Sequence, residues 1–365
     1  MFRKIKSKIN SNRIQKENKE KAIQIMKANY LSPKQIENIL NNGFDIDMLS
    51  SVIEEAMDYP DVDYLAEVLT PVYRVKNKKD ISNREIVKAS ILGDIIGSHY
   101  EFTPHNYLYT STIEELPHKY SQYTDDTVLS IATMNAILEN DKKPDFRRAY
   151  IEAYNEYPNV GYGGSFVNWA MGDNMFYVEG VASEKIDNSK GYHSIGNGCT
   201  MRLSFIPAYY DDIQDVIKHT IESVMVTHDH VESIKGSVVF SVCIWMAFNG
   251  YTKDEIYEYY KRHYNEDIIE KSVYQWCQYN QINRGNYFTS QEKKTTLYVP
   301  FAVPVVIEAF YQTKSYKDCM RKILSHFGDT DTLCAMAGGL CYAFYSETMF
   351  PTNEILKKFN VPVFT

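Results

Sequence analysis

The chain has 365 residues, 44% of them hydrophobic, enough for one large domain or two smaller ones with a substantial core. Its net charge of −8 argues against nucleic acid as the main ligand. No run approaches the roughly 18 uninterrupted apolar residues of a bilayer span, and the opening MFRKIKSKINSNRIQKENKEK lacks the apolar core of a secretion signal, so no membrane partner and a cytoplasmic location are expected.

In chain order, the first 22 residues carry eight Lys or Arg against Glu17 and Glu20, which reads as a solvated basic arm before it reads as a docking segment. LSPKQIENILNNG then opens as a helix should. Ser32 is placed to cap, Pro33 sits in the first turn, Gln35 closes a capping box and Gly43 stops the run. MLSSVIEEAM predicts a second helix, and the polar stretch RVKNKKDISN, 74 to 83, marks a boundary. Residues 1–80 are expected to form a basic arm and small helical extension, and 81–365 the main domain.

From REIVKASILGDIIGSHYEF onward the spacing is helical and alternation is scarce. The clearest predicted helices are 126–138, 213–226, 231–248, 301–313 and 332–345, so the main domain is expected to be all-α. YTKDEIYEYYKRHY reads as an amphipathic surface helix with half-buried rings. The six cysteines form no CxxC pair and most sit among apolar neighbours, as reduced core thiols would.

Two acidic turns stand at the mouths of apolar helices. YTDDT places Asp125 and Asp126 between Thr124 and Thr127, and GDTDT places Asp329 and Asp331 ahead of Thr332. Either turn alone is explained by a helix start, where exposed N–H groups and the macrodipole favour carboxylates. Side by side, however, four carboxylates would repel unless a cation were present. Oxygen donors from Asp and Thr suit Mg²⁺ or Mn²⁺, and four aspartates would balance two such ions.

Glycines mark three more stretches. Ala89, Gly93 and Gly97 form an i, i+4, i+8 stripe that allows close helix approach, with Glu101 just beyond it. GYGGSF, 161–166, is expected to be a flexible loop whose backbone donors could wrap phosphate, and SIGNGCTMR, 194–202, is a second such loop ending in Arg202. With the acidic turns they describe a site for something phosphorylated and hydroxylated.

GDIIGSHYEF, YTDDT, GYGGS, GNGCTMR, THDH and GDTDT, in this order over roughly residues 85–346, resemble the ADP-ribosylglycohydrolase family, whose hydrolases remove ADP-ribose from dinitrogenase reductase and from arginine or serine side chains. The resemblance implies a compact all-α domain with two Mg²⁺ or Mn²⁺ ions, held by Thr124, Asp125 and Asp126 on one side and Asp329, Asp331 and Thr332 on the other. It implies Glu101 as the group that activates water, with Asp126 as the alternative base. Gly161, Tyr162, Gly163, Gly164 and Ser165 match the diphosphate loop. Gly196, Asn197, Gly198, Met201 and Arg202 match a loop lining the ADP-ribose cleft, and His228 matches a histidine near the ligand, while His230 reads as structural. Phe327 departs from the family's usual glycine and is expected to alter substrate fit more than metal binding.

The expected substrate is a protein ADP-ribosylated on arginine, with serine or a small metabolite behind it. The other reading is an immunity protein that blocks an ADP-ribosyltransferase toxin through residues 1–80.

Overall fold

A computed structural model describes residues 19–42, 49–71, 76–102, 116–172, 189–264, 296–325 and 328–362. The basic arm up to residue 18, Gly43, Cys277 and Phe327 lie outside the described residues.

Helix α1 covers residues 19–28, followed by α2 Pro33–Asn42, α3 Leu49–Met57 and α4 Val62–Leu69. Helix α5 is Asn83–Ser98, α6 Asp125–Glu139, α7 Phe146–Glu156 and α8 Gly164–Met171. A 3-10 turn, Asn197–Cys199, precedes α9 Phe205–Tyr209, α10 Ile213–Met225, α11 Val231–Phe248 and α12 Lys253–His263. Helices α13 Val299–Gln312, α14 Tyr316–Leu324, α15 Thr330–Tyr345 and α16 Thr352–Lys358 complete the set among the described residues. The fold is all-α; among the described residues the β-type pairing is one isolated bridge between Gly196 and Tyr298.

The capping box at α2 forms as the residues dictate: Ser32 N donates to Gln35 Oε1 at 2.9 Å and Gln35 N to Ser32 Oγ at 3.2 Å. Helix α11 passes the length and hydropathy of a membrane span, yet all 18 of its residues are buried, which makes it the central core helix. Lys235 and Glu232 pair at 2.8 Å inside it, and Lys235 Nζ lies over the Tyr30 and Tyr264 rings. The five described cysteines are buried free thiols.

Helices α5 and α15 form the closest seam, and glycine explains it. A Cβ on Gly93 would lie 2.0 Å from Cys334 O, one on Gly97 2.1 Å from Thr330 O, and one on Gly338 2.4 Å from Ala89 O. Two stripes therefore interlock, Ala89, Gly93 and Gly97 against Gly338, Cys334 and Thr330, and backbone meets backbone. Ser90 Oγ donates to Ala335 O at 2.8 Å across the same seam.

Two expectations need correction. The tyrosines of α12 are only in part half-buried surface rings: Tyr257 is half-buried, whereas Tyr259 and Tyr260, with Tyr264 beyond them, are fully buried because α12 packs against both α11 and α13. The GYGGSF stretch is not loop throughout, since Gly164, Ser165 and Phe166 already form the first turn of α8 behind the cap Gly163.

Residues 19–42 and 49–71 share the core of the main domain. Ala22, Met26, Leu31, Ile36, Leu49, Ile53, Met57, Leu65 and Leu69 are buried in the same hydrophobic cluster as α11 and α15. Tyr30 donates to His263 O and Tyr259 to Leu69 O, both at 2.7 Å.

Candidate active site

The N-termini of α6 and α15 and the C-terminal end of α5 converge on one cleft. The α5–α15 seam brings them together, because Asp94 follows Gly93 and Asp331 follows Thr330 in the interlocked stripes. The two acidic turns, some 200 residues apart in the chain, touch directly: Thr332 Oγ1 donates to Asp126 Oδ2 at 3.1 Å, and Thr124 Oγ1 lies 3.2 Å from the same oxygen.

Asp94 is a carboxylate that the spacing arguments passed over. It is fully buried and accepts four hydrogen bonds, from Thr124 N (2.9 Å), Thr124 Oγ1 (2.9 Å), Thr127 N (3.2 Å) and Thr127 Oγ1 (2.5 Å). It thus caps α6 from another helix and fixes the direction of Asp126. Its signal was in the sequence, one charge inside the apolar run ILGDIIG.

Two carboxylate groups have oxygens close enough to share a cation. Asp94, Asp126 and Asp331 form one, Glu101, Asp329 and Asp331 the other, with ligand atoms within 4.8 Å of one another in each. Asp331 belongs to both. Asp125 belongs to neither; it is half-buried and faces the glycine turn, where its Oδ1 would lie 3.5 Å from a Cβ on Gly161.

The electrostatics suit a cation. Burial and then the Asp331 charge push Asp94 up to about 7. Lost hydration at the cleft wall, then Asp331 and Asp94, raise Glu101 to about 7, although its side chain is exposed at the rim. Asp125, Asp126 and Asp329 are held well above the ordinary carboxylate range, by burial first and Asp331 second. Capping does not consume these groups: Asp329 stands at the cap of α15 and makes no capping bond, and Asp126 Oδ1 is buried with no hydrogen-bond partner. Unpaired buried carboxylate oxygen in an all-oxygen donor set fits a divalent metal ion.

Asn197 Nδ2 donates to Asp329 Oδ2 at 2.6 Å and to Thr296 O at 2.7 Å, tying the 194–202 loop to the acidic turn. Gly328 at φ 136° brings its backbone against Thr296, where a Cβ would lie 2.3 Å from Oγ1, and Asp329 N donates to that oxygen at 3.1 Å. Met201 Sδ lies 3.7 Å from Thr332 Oγ1. His228 is buried under the Gly196–Gly198 turn, its Nδ1 2.7 Å from Thr227 Oγ1; burial and then Arg202 hold it well below the usual imidazole range, hence neutral.

Arg202 has no accessible surface. It stacks 4.0 Å over the Tyr150 ring and donates to Ser223 O and Thr227 Oγ1 at 2.9 Å, so it supports His228 from behind and does not line the cleft wall. Across the cleft, Gly161 has φ 102°, and Cβ atoms on Gly163 and Gly164 would meet nothing within 4 Å, leaving the start of α8 facing open space. Tyr162 stacks on Phe166 with ring centroids 5.0 Å apart, and its hydroxyl is buried without a partner. His230 caps α11 by accepting from Glu232 N at 3.1 Å, the structural role expected of it.

A sequence model of the ADP-ribosylglycohydrolase family matches residues 84–358. The chain belongs to that family and is a glycosidic hydrolase. It is 27% identical over 305 residues to a protein of Acanthamoeba polyphaga mimivirus that bears an ADP-ribosyl glycohydrolase name, L543, covering 75% of this chain and 90% of that one. It is 24% identical over 307 residues to the ADP-ribosylhydrolase ARH3 of Xenopus tropicalis (72% and 87% covered) and 23% identical over 319 residues to human ARH3 (74% and 87%). A solved structure titled ADP-ribosylglycohydrolase-related protein complex superposes with a TM-score of 0.54 at 18% identity, over 77% of this chain and 98% of that one, and shares the fold.

Proposed function

We propose that the chain cleaves the glycosidic bond between ADP-ribose and a modified protein side chain, arginine first, and releases the side chain unaltered. The observation that carries this reading is the pair of carboxylate groups sharing Asp331. A shared carboxylate is what two adjacent divalent cations need, and Mg²⁺ or Mn²⁺ matches oxygen-only donors. Asp126, Asp329 and Asp331 would hold the ions with the Thr124 and Thr332 hydroxyls beside them, and Asp125 faces them from the glycine turn. Ions bound there would supply charge to orient the ribose cis-hydroxyls and to lower the pKa of a nearby water.

The chain's own groups do the remaining work. Glu101, at the rim, accepts the proton of the attacking water, with Asp126 as the alternative base. The carboxylates face the positive charge that develops at the anomeric carbon as the bond breaks. The Gly161–Ser165 turn and the start of α8 offer backbone N–H groups to the diphosphate. Neutral His228 lines the ribose side without adding charge, and Asn197 keeps Asp329 oriented.

The test is release of free ADP-ribose from an arginine-ADP-ribosylated protein and from a serine-linked one, each with Mg²⁺ and then with EDTA. Metal-dependent release from the arginine substrate is expected. Release from the serine substrate alone reassigns the linkage, and release that survives EDTA removes the metal from the reading.

A further inference from the structure

The segment 191–197 runs from the outside of the protein into the cleft, and its outer end is held by the N-terminal helices. Asp58, just after α3, places Oδ1 2.7 Å from His193 Nε2. His193 is a non-glycine residue at φ 55°, a backbone conformation that costs free energy and persists only where neighbours impose it. Its own N–H donates to Asp229 Oδ1 at 2.8 Å, and Gly191 crosses the same carboxylate so closely that a Cβ would lie 2.6 Å from that oxygen. Asp58 and Asp229 thus grip one imidazole residue from opposite sides.

From that grip the segment is tied inward. Tyr192 N donates to Thr227 O at 3.0 Å, and the Tyr192 ring lies 5.4 Å from that of His228. Ser233 Oγ donates to Ser194 O at 2.8 Å, and Val299 N to Ile195 O at 2.9 Å. Asn197 N donates to Leu297 O at 2.8 Å, and the Asn197 side chain reaches Asp329. The Gly196–Gly198 turn that this segment delivers covers His228. His193 is one of the places where the family domain meets residues before its first matched position, 84.

We propose that Asp58 is a positioning residue: by holding His193 it fixes the 191–197 segment, and with it Asn197 and the turn over His228, so that the N-terminal helices set the cleft's affinity for ADP-ribose. The ligand named here rests on the function proposed above. Asp58 touches no reacting atom and acts through His193 alone. Loss of the contact loosens a segment that contributes to binding, while Asp329 keeps its backbone bond to Thr296 Oγ1 and Asp94, Asp126, Asp331 and Glu101 lie outside the segment, so affinity changes more than the chemical step.

The experiment uses the full chain with Asp58→Asn, Asp58→Glu and, as control, Tyr259→Phe, which removes a different contact between the N-terminal helices and the main domain. Two readouts are taken: ADP-ribose binding with steady-state turnover, and hydrogen–deuterium exchange of the Gly196 and Asn197 amides. For Asp58→Asn we expect the ADP-ribose Kd and the KM to rise about fivefold to tenfold, the effect of one lost charge-assisted bond, with kcat within about twofold and faster exchange at both amides. Asp58→Glu should recover part of the affinity. Tyr259→Phe should lower the melting temperature and leave Kd unchanged. The proposal is overturned if Asp58→Asn binds and exchanges like wild type, or if Tyr259→Phe weakens binding as much. If wild type does not bind ADP-ribose yet Asp58→Asn speeds exchange at 196 and 197, the positioning role stands and the ligand assignment falls.

Discussion

The packed interior and the cleft are made from the same two helices and obey opposite rules. Along the α5–α15 seam the close contacts are backbone-to-backbone, and the Ser90 and Thr330 hydroxyls donate across it to backbone carbonyls. One residue further along each stripe stand Asp94 and Asp331, buried beside one another, and burial with the Asp331 charge pushes Asp94 and Asp126 above the ordinary carboxylate range. The seam lowers the free energy of the fold, whereas the cleft raises it. A rigid seam is what allows the cleft to exist, because repelling carboxylates separate unless their backbones are fixed.

The comparison can be broken on the interior side first. Removing residues 1–80 uncovers the surface that Met26, Leu31, Leu65 and Leu69 now cover. Each buried side chain of this size contributes roughly 1.5–3 kcal/mol, against a typical net stability of about 5–15 kcal/mol. The truncated chain should therefore be insoluble or lack a cooperative unfolding transition, measured by circular dichroism on heating. Gly93→Val forces a side chain into Cys334 O and should cost about 3 kcal/mol or more, measured by denaturant titration; a stable Gly93→Val protein would mean the seam can open.

Changes on the cleft side should do the reverse. Asp331→Asn removes the carboxylate common to both groups and should lower turnover on the order of a hundredfold or more, with the metal-free melting temperature unchanged or raised. Thr127→Val lies where the regions join, since its hydroxyl holds Asp94. It should show both signatures at reduced size, about 1–2 kcal/mol of stability and about tenfold in kcat.

The smallest effect is a pH dependence far from the carboxylates. Burial pulls His193 down, but its bonds to Asp229 and Asp58 outweigh that and raise it above 6.5. Burial pulls Asp229 up, but the bonds from His193 outweigh that and hold it below 3.8. Nearby His230 is pushed by burial down to about 3, and stays neutral between those limits beside Lys235. The His193 contribution is therefore fully present below pH 6.5 and lost as pH rises through the elevated value. The Asp229 contribution is present above 3.8 and lost as pH falls. The melting-temperature difference between wild type and His193→Asn should be largest between these limits and shrink above pH 6.5.

Much of this was legible in the sequence because local chemistry repeats. The stripe Ala89, Gly93, Gly97 announced a close contact, and TDDT and GDTDT announced acidic helix mouths. Pairing was not legible: nothing in the spacing names Thr330, Cys334 and Gly338 as the opposing stripe, since a helix face carries no address for its partner. Asp94 escaped because a lone charge in an apolar run looks like an interruption until the Thr124 and Thr127 donors are seen around it. Of the α12 rings Tyr257 is half-buried as its periodicity suggests, but Tyr259 and Tyr260 are fully buried, because amphipathic periodicity reports one buried face and α12 is covered from two directions. Motif position assigns Arg202 to a loop at the cleft but does not show that its side chain is fully buried against Tyr150, Ser223 and Thr227.

Helix α11 takes on another meaning when the order of synthesis is considered. Its apolar residues leave the ribosome before α12, α13 and α15, which cover much of its surface, have been made. For that interval the nascent chain displays 18 residues with the hydropathy of a bilayer span, interrupted by the Glu232–Lys235 pair. Chains ending near residue 264 should accordingly aggregate or bind chaperones, although most helices of the finished protein are already present.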